Sequence, residues 1–96
     1  MKPLMSVPKK GDLILRVHTW RCSKYNNCFS IFRIIDTPQK EGYAYYSTTA
    51  KILYEKNGMG KPIIHNIGVC VPSNNSNTDY LIDDNEIDDI IMSDSI

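Results

Sequence analysis

Residues 12–22 read Asp-Leu-Ile-Leu-Arg-Val-His-Thr-Trp-Arg-Cys, and their alternation decides the fold class. One face of this stretch holds Leu13, Leu15 and Val17. The other face is mixed and holds Ile14, Arg16, His18 and Trp20. Because successive side chains of a strand point to opposite faces, a period of two predicts a half-buried β-strand.

Further strands follow from the same kind of pattern. Residues 28–36 are rich in β-branched and aromatic side chains, and residues 62–71 are mainly aliphatic, so both predict strands. Residues 79–82 predict an edge strand. Three segments hold turn-forming residues and are therefore predicted to be irregular. Residues 1–11 would form a short arm, residues 23–27 a hairpin loop, and residues 37–42 would end the second strand.

Residues 43–55 allow two interpretations. As a strand, one face holds Ala44, Tyr46, Ala50, Ile52 and Tyr54. As a helix, a stripe runs through Tyr43, Tyr46, Ala50, Leu53 and Tyr54, with Gly58 near a C-cap position. The tyrosine and threonine content favours the strand.

These elements predict a mainly β fold: a small antiparallel barrel of four to five strands, OB-like or SH3-like, with a short acidic C-terminal helix. Closure into a barrel is favoured because it removes unpaired strand edges. The alternative is an α+β fold in which residues 43–57 are helical.

Charge divides the chain near residue 78. All eleven lysines and arginines lie in residues 1–78 with four acids, a formal charge of +7. Residues 79–96 hold seven acids and no base, which gives −7. This split is typical of nucleic-acid contact or of an acidic interaction segment. We therefore predict a basic β domain (1–72), a polar linker (73–78) and an acidic C-terminal segment (79–96).

The acidic segment itself predicts a short helix over roughly residues 84–92. Asp83 and Glu86 have the spacing of a capping box, and the acids cluster at the end that the helix dipole favours. Ile87, Ile90 and Ile91 would share one face of this helix.

Cations interleaved with aromatic side chains indicate binding of single-stranded nucleic acid. Lysine and arginine neutralise phosphates, and flat side chains stack on exposed bases. We predict that single-stranded DNA or RNA contacts Arg16, Trp20, Lys24, Arg33, Tyr43, Tyr45 and Lys51.

The layout of a basic β body followed by an acidic tail resembles that of phage and bacterial single-stranded DNA-binding proteins. The resemblance implies that the tail recruits a partner protein or competes with nucleic acid for the basic surface. The candidate partner-binding residues are Asp83, Asp84, Glu86, Ile87, Asp88 and Ile91. Unlike those tails, this one carries isoleucines at helical spacing, which favours packing on the body.

Metal binding and catalysis have weaker support. A zinc site would need Cys22, Cys28, His65 and Cys70 to meet, at spacings wider than usual. The odd number of cysteines instead predicts free thiols, with Cys22 and Cys28 as a cross-strand pair. No nucleophile–base signature surrounds a cysteine or histidine. We therefore expect no metal, no cofactor and no enzymatic activity.

The remaining expectations concern location and partners. No run approaches the roughly 18 apolar residues of a transmembrane helix, and the first residues lack the apolar core of a secretory signal. We therefore expect no membrane contact and a cytoplasmic location, in the host cytoplasm if the protein is viral. The alternative function is that of a small viral or phage protein that binds and modulates a host protein. An exposed edge strand also allows a homodimer.

Overall fold

The computed structural model describes residues 2–18, 28–56, 63–71 and 78–94, in which it has seven strands and one helix. In chain order these are β1 (Lys2–Pro3), β2 (Leu13–Val17), β3 (Phe29–Ile34), β4 (Gln39–Gly42), β5 (Tyr45–Lys56), β6 (Ile64–Cys70), β7 (Thr78–Ile82) and α1 (Asp84–Asp94). The predicted mainly β fold with a short acidic C-terminal helix is confirmed. Residues 45–56 form a strand, so the helical alternative is excluded.

All strands belong to one antiparallel sheet that curls into a half-barrel. Neighbours follow the order β1-β7-β2-β3-β5, and both β4 and β6 pair with β5. β7 therefore lies between β1 and β2, and its five residues pair with β2 along the whole strand. The acidic segment thus begins inside the sheet.

Each side of the sheet buries its own group of apolar side chains. The concave side, called the inner face, packs Leu4, Ile14, Phe32, Ile34, Ala50 and Val69 together. The convex side, called the outer face, packs Leu13, Leu15, Val17, Phe29, Ile31 and Ile82 together. The alternation predicted for residues 13–17 is therefore correct, but both faces of β2 are buried rather than one.

Helix α1 covers the outer face of β2, β3 and β7. Ile87 and Ile90 pack against the apolar cluster there, which explains why isoleucines recur at helical spacing in an acidic segment. The carboxylate of Glu86 accepts a hydrogen bond from the backbone N–H of Asp83 at 3.0 Å, the predicted capping contact. A hydrogen bond from the chain's amino terminus, followed by the one from the Asp83 N–H, lowers the pKa of Glu86.

A bulge in β5 changes which side chains share a face. Ile31 of β3 opposes Tyr54, whereas the next residue, Phe32, opposes Ile52, so Leu53 is an extra residue in β5. Ile52 consequently lies on the inner face and Tyr54 on the outer face, where its ring centroid is 5.7 Å from that of Phe29. The expectation that both lie on one face was wrong, because alternation alone contains no signal for a bulge.

Two predicted irregular segments contain short strands. In the N-terminal arm, β1 pairs with β7, and the Leu4 side chain is buried in the inner face. In the predicted break, β4 pairs with β5 through a turn at Tyr43 and Ala44. Ala44 has a φ of 59°, a left-handed conformation that costs a residue with a Cβ some strain. Within the described residues, no helix is both long and apolar enough to cross a membrane.

Candidate nucleic-acid interface

The outer face of β5 continues beyond the area that α1 covers, and there it carries polar and aromatic side chains. Alternation from the register with β3 places four side chains in a row, here called the β5 strip: Tyr45, Ser47, Thr49 and Lys51. At about 3.3 Å per residue, Tyr45 and Lys51 are roughly 20 Å apart along the strand. An aromatic ring and a cation thus mark the two ends of a polar strip.

Arg33 extends the basic end of the strip onto β3. Arg33 and Lys51 are directly opposite each other in the β3–β5 pairing, so both side chains lie on the outer face. One guanidinium nitrogen of Arg33 donates to Asp84 at the start of α1, and the other donates to the backbone carbonyl of Gly11, each at 2.9 Å. The Arg33 and Asp84 side chains are 36% and 78% exposed, so this ion pair is open to solvent.

Arg16 has a different environment, because its side chain points into the half-barrel. Its guanidinium makes two hydrogen bonds to the carboxylate of Asp79, at 2.8 and 2.9 Å. It also donates to the carbonyl of Gly68 on β6 and lies 5.3 Å from the ring centroid of Phe32. The Arg16 side chain is only 13% exposed. The structure therefore separates Arg16 from the outer face on which Arg33 and Lys51 lie.

The aromatic end of the strip depends on a glycine in β6. A Cβ on Gly68 would overlap the hydroxyl group and ring carbons of Tyr45, so the ring lies directly over this glycine. Tyr45 nevertheless remains 45% exposed, and Tyr43 in the adjacent turn is 98% exposed. Two tyrosine rings are therefore available for stacking near one another.

A polar cleft of about 460 Å³ opens between the β3–β4 connection, β5 and β6. Its lining consists of Asp36, Thr37, Gln39, Ser47, Thr48, Thr49 and Asn66. Thr48 fixes one wall by donating a hydrogen bond to the carbonyl of Asp36 at 2.6 Å. Thr49 donates to the side-chain oxygen of Asn66 at 3.0 Å, which orients the amide. Sequence reasoning missed the cleft, because no motif links residues from three separate segments.

A buried serine lies between a histidine and a glutamate on the inner face. Ser30 Oγ is 2.9 Å from a ring nitrogen of His18 and donates to the carboxylate of Glu55 at 3.4 Å. The serine is only 4% exposed, so a substrate has no access to its hydroxyl group. This arrangement satisfies buried polar groups and does not form an accessible nucleophile.

The structure brings some of the predicted nucleic-acid-binding residues together. Arg33, Tyr45 and Lys51 share the outer face, and Tyr43 lies in the turn beside Tyr45. Trp20 and Lys24 lie outside the described residues. Of the predicted residues that the structure describes, two cations and one aromatic ring therefore share a surface, with Tyr43 in the adjoining turn and Arg16 on the inner face.

The predicted partner-binding residues of the acidic segment divide by exposure. Asp83, Asp84 and Asp88 are exposed, whereas Glu86 and Ile91 are half-buried. Ile87 packs against the outer-face cluster. A partner would therefore meet the carboxylates and not this isoleucine.

The expectation of free thiols was wrong for Cys28, which is disulfide-bonded, whereas Cys70 keeps its thiol. Three cysteines permit one bond and one remaining thiol, so their odd number did not exclude a disulfide. The bonded sulfur of Cys28 is not a thiolate and cannot serve as a zinc ligand. Cys22 lies outside the described residues. Among the residues that the structure does describe, no three potential metal ligands come together.

Comparison with known proteins adds no relative: no family model, no curated protein and no solved structure matches this chain.

Proposed function

We propose that the protein binds single-stranded nucleic acid on the outer face of β5, with Lys51 and Arg33 contacting phosphates and Tyr45 stacking on a base. The observation that carries the proposal is that these three side chains share the outer face of the sheet beside α1. A β-strand with a cation at one end and an aromatic ring at the other provides the phosphate contact and the base stacking that such binding needs. The proposed role is binding without a catalytic step.

The acidic segment supports a competing role for Asp84. Its carboxylate forms a solvent-exposed ion pair with the Arg33 guanidinium. Exposed pairs contribute little free energy, so a phosphate can replace the carboxylate at low cost. Asp84 would thus hold Arg33 until nucleic acid arrives, which is the competition that the basic-body and acidic-tail layout implies.

The proposal is tested by titrating a fluorescent single-stranded octanucleotide at several salt concentrations. A single-strand phosphate contact contributes a slope of about −0.7 to log K against log salt. Lys51→Ala should therefore weaken binding and flatten the slope by about 0.7. Lys2→Ala is the matched control, because Lys2 lies in β1 at the far edge of the sheet and should leave the slope unchanged.

Two further variants separate stacking from charge. Tyr45→Ala should lower affinity by about 1–3 kcal/mol with little change in salt slope. Asp84→Asn should raise affinity, because it releases Arg33. Absence of binding by the folded wild-type protein at low salt would refute the proposal.

A second candidate function, binding of a protein partner such as a host protein, is favoured by a different observation. Leu53, Ile63 and Ile64 are 40%, 65% and 55% exposed near one another where β5 meets β6. Exposed aliphatic groups of this kind are typical of protein contacts. A partner retained by the wild-type chain but not by Ile64→Asp would support this function, whereas equal retention would argue against this surface.

A further inference from the structure

We infer that the polar cleft beside the β5 strip receives the ribose of one nucleotide, so that the protein prefers RNA to DNA. This inference rests on the proposed function and names its substrate class. The cleft volume, about 460 Å³, falls in the range of small-ligand sites. Its position makes it part of the same surface, because Ser47 and Thr49 line the cleft and also belong to the β5 strip.

The order of groups along β5 matches the order of groups in a nucleotide chain. Lys51 lies two residues from Thr49, and Tyr45 lies two residues from Ser47 on the other side. The cleft residues are thus between a cation for phosphate and a ring for stacking. A single-stranded nucleic acid that contacts both Lys51 and Tyr45 must pass a sugar and a base over the cleft.

The chemistry of the lining excludes phosphate and suits a hydroxyl group. Asp36 is the only charged residue among the seven that line the cleft, and its negative charge repels a phosphate. The remaining six side chains are hydroxyls and amides. A phosphate therefore belongs at Lys51, and a neutral part of the nucleotide belongs in the cleft.

The hydrogen-bonding capacity of the cleft is complementary to a ribose 2′-hydroxyl, which both donates and accepts. Thr49 donates its proton to Asn66 Oδ1, which leaves the Asn66 N–H groups as donors and the Thr49 oxygen as an acceptor. The Asp36 carboxylate supplies a further acceptor in the lining of the cleft. A 2′-hydroxyl is the group by which a protein distinguishes RNA from DNA at a given position.

The test compares the octamer of uridine with the octamer of deoxyuridine, which differ only in the 2′-hydroxyl. We expect the uridine octamer to bind about five-fold tighter, the effect of roughly one neutral hydrogen bond. A 2′-O-methyl uridine octamer, which lacks the donor, should bind no better than the deoxyuridine octamer. Asn66→Ala should remove the preference while leaving the affinity for deoxyuridine within two-fold.

Asn85→Ala is the matched control, because Asn85 is exposed on α1 and does not line the cleft. It should keep the full preference for the uridine octamer. Equal binding of both octamers to the wild-type protein would overturn the ribose inference while leaving nucleic-acid binding in place. Failure of both octamers to bind a folded protein would overturn the proposed function and this inference together.

Discussion

Arg16 on β2 and Asp79 on β7 form a two-point ion pair inside the half-barrel, with side-chain exposures of 13% and 3%. A third hydrogen bond connects Arg16 to the carbonyl of Gly68 on β6. β6 has no backbone pairing with β2 or β7 among the described strands. The guanidinium therefore joins two parts of the curled sheet that the backbone does not join.

Asp79→Asn should destabilise the protein by about 3–5 kcal/mol, because it leaves a buried guanidinium without its counter-charge. Urea unfolding followed by circular dichroism measures this change. Asp84→Asn is the matched control, since it breaks the exposed Arg33–Asp84 pair and should cost about 1 kcal/mol or less. Similar losses for the two variants would contradict the structural role assigned to Arg16.

Ile87→Ala should lower the free energy of unfolding by about 2 kcal/mol, because Ile87 packs α1 against the outer-face cluster. Asp88→Ala changes the neighbouring exposed position and should have an effect within about 0.5 kcal/mol. Thermal unfolding of the two variants makes the comparison. If both lower stability equally, α1 does not depend on Ile87 for its docking.

Gly68→Ala should displace the Tyr45 ring and cost about 1–3 kcal/mol, because the added Cβ would overlap that ring. The Tyr45→Ala/Gly68→Ala double variant should recover part of the loss, which a double-mutant cycle measures. Gly42→Ala is the control, since a Cβ there meets no atom within 4 Å. Strict additivity of the two single changes would show that the ring and the glycine do not interact.

Alkylation by iodoacetamide in urea without reductant should modify Cys70 and spare Cys28, because of these two described cysteines only Cys70 keeps its thiol. Peptide mass spectrometry identifies the modified residues. Pretreatment with dithiothreitol should make Cys28 reactive as well. Modification of Cys28 before reduction would contradict the disulfide, and with it the departure from the expected free thiols.

Local patterns in the sequence predicted most of the elements but not how they meet. The alternation at Leu13–Val17 distinguishes an aliphatic face from a face that carries Arg16, and the helical spacing of Ile87 and Ile90 reflects their packing on the outer face, so both elements were predictable. The Leu53 bulge and strand β4 could not be predicted from local patterns, because each depends on pairing with a neighbouring strand. Burial of Leu4 follows from the pairing of β1 with β7, which lies about 80 residues later in the chain.

The candidate site was predictable only where alternation within one strand determines which side chains share a face. Tyr45 and Lys51 share a face through simple alternation within β5. Arg16 looked equivalent to Arg33, since both are arginines in predicted strands, yet they point to opposite sides of the sheet. The sequence could not reveal that Asp79 would neutralise one arginine in the interior while Asp84 would meet the other at the surface.

The position of β7 has a consequence for synthesis of the protein. β2 is made early, yet one of its two neighbours, β7, emerges from the ribosome some sixty residues later. Until then the nascent chain exposes one edge of β2, and Arg16 lacks Asp79. Sheets that depend on such distant pairings fold slowly, because a long loop must close first. The body of the sheet thus reaches its final form only after residues 78–82 have been translated.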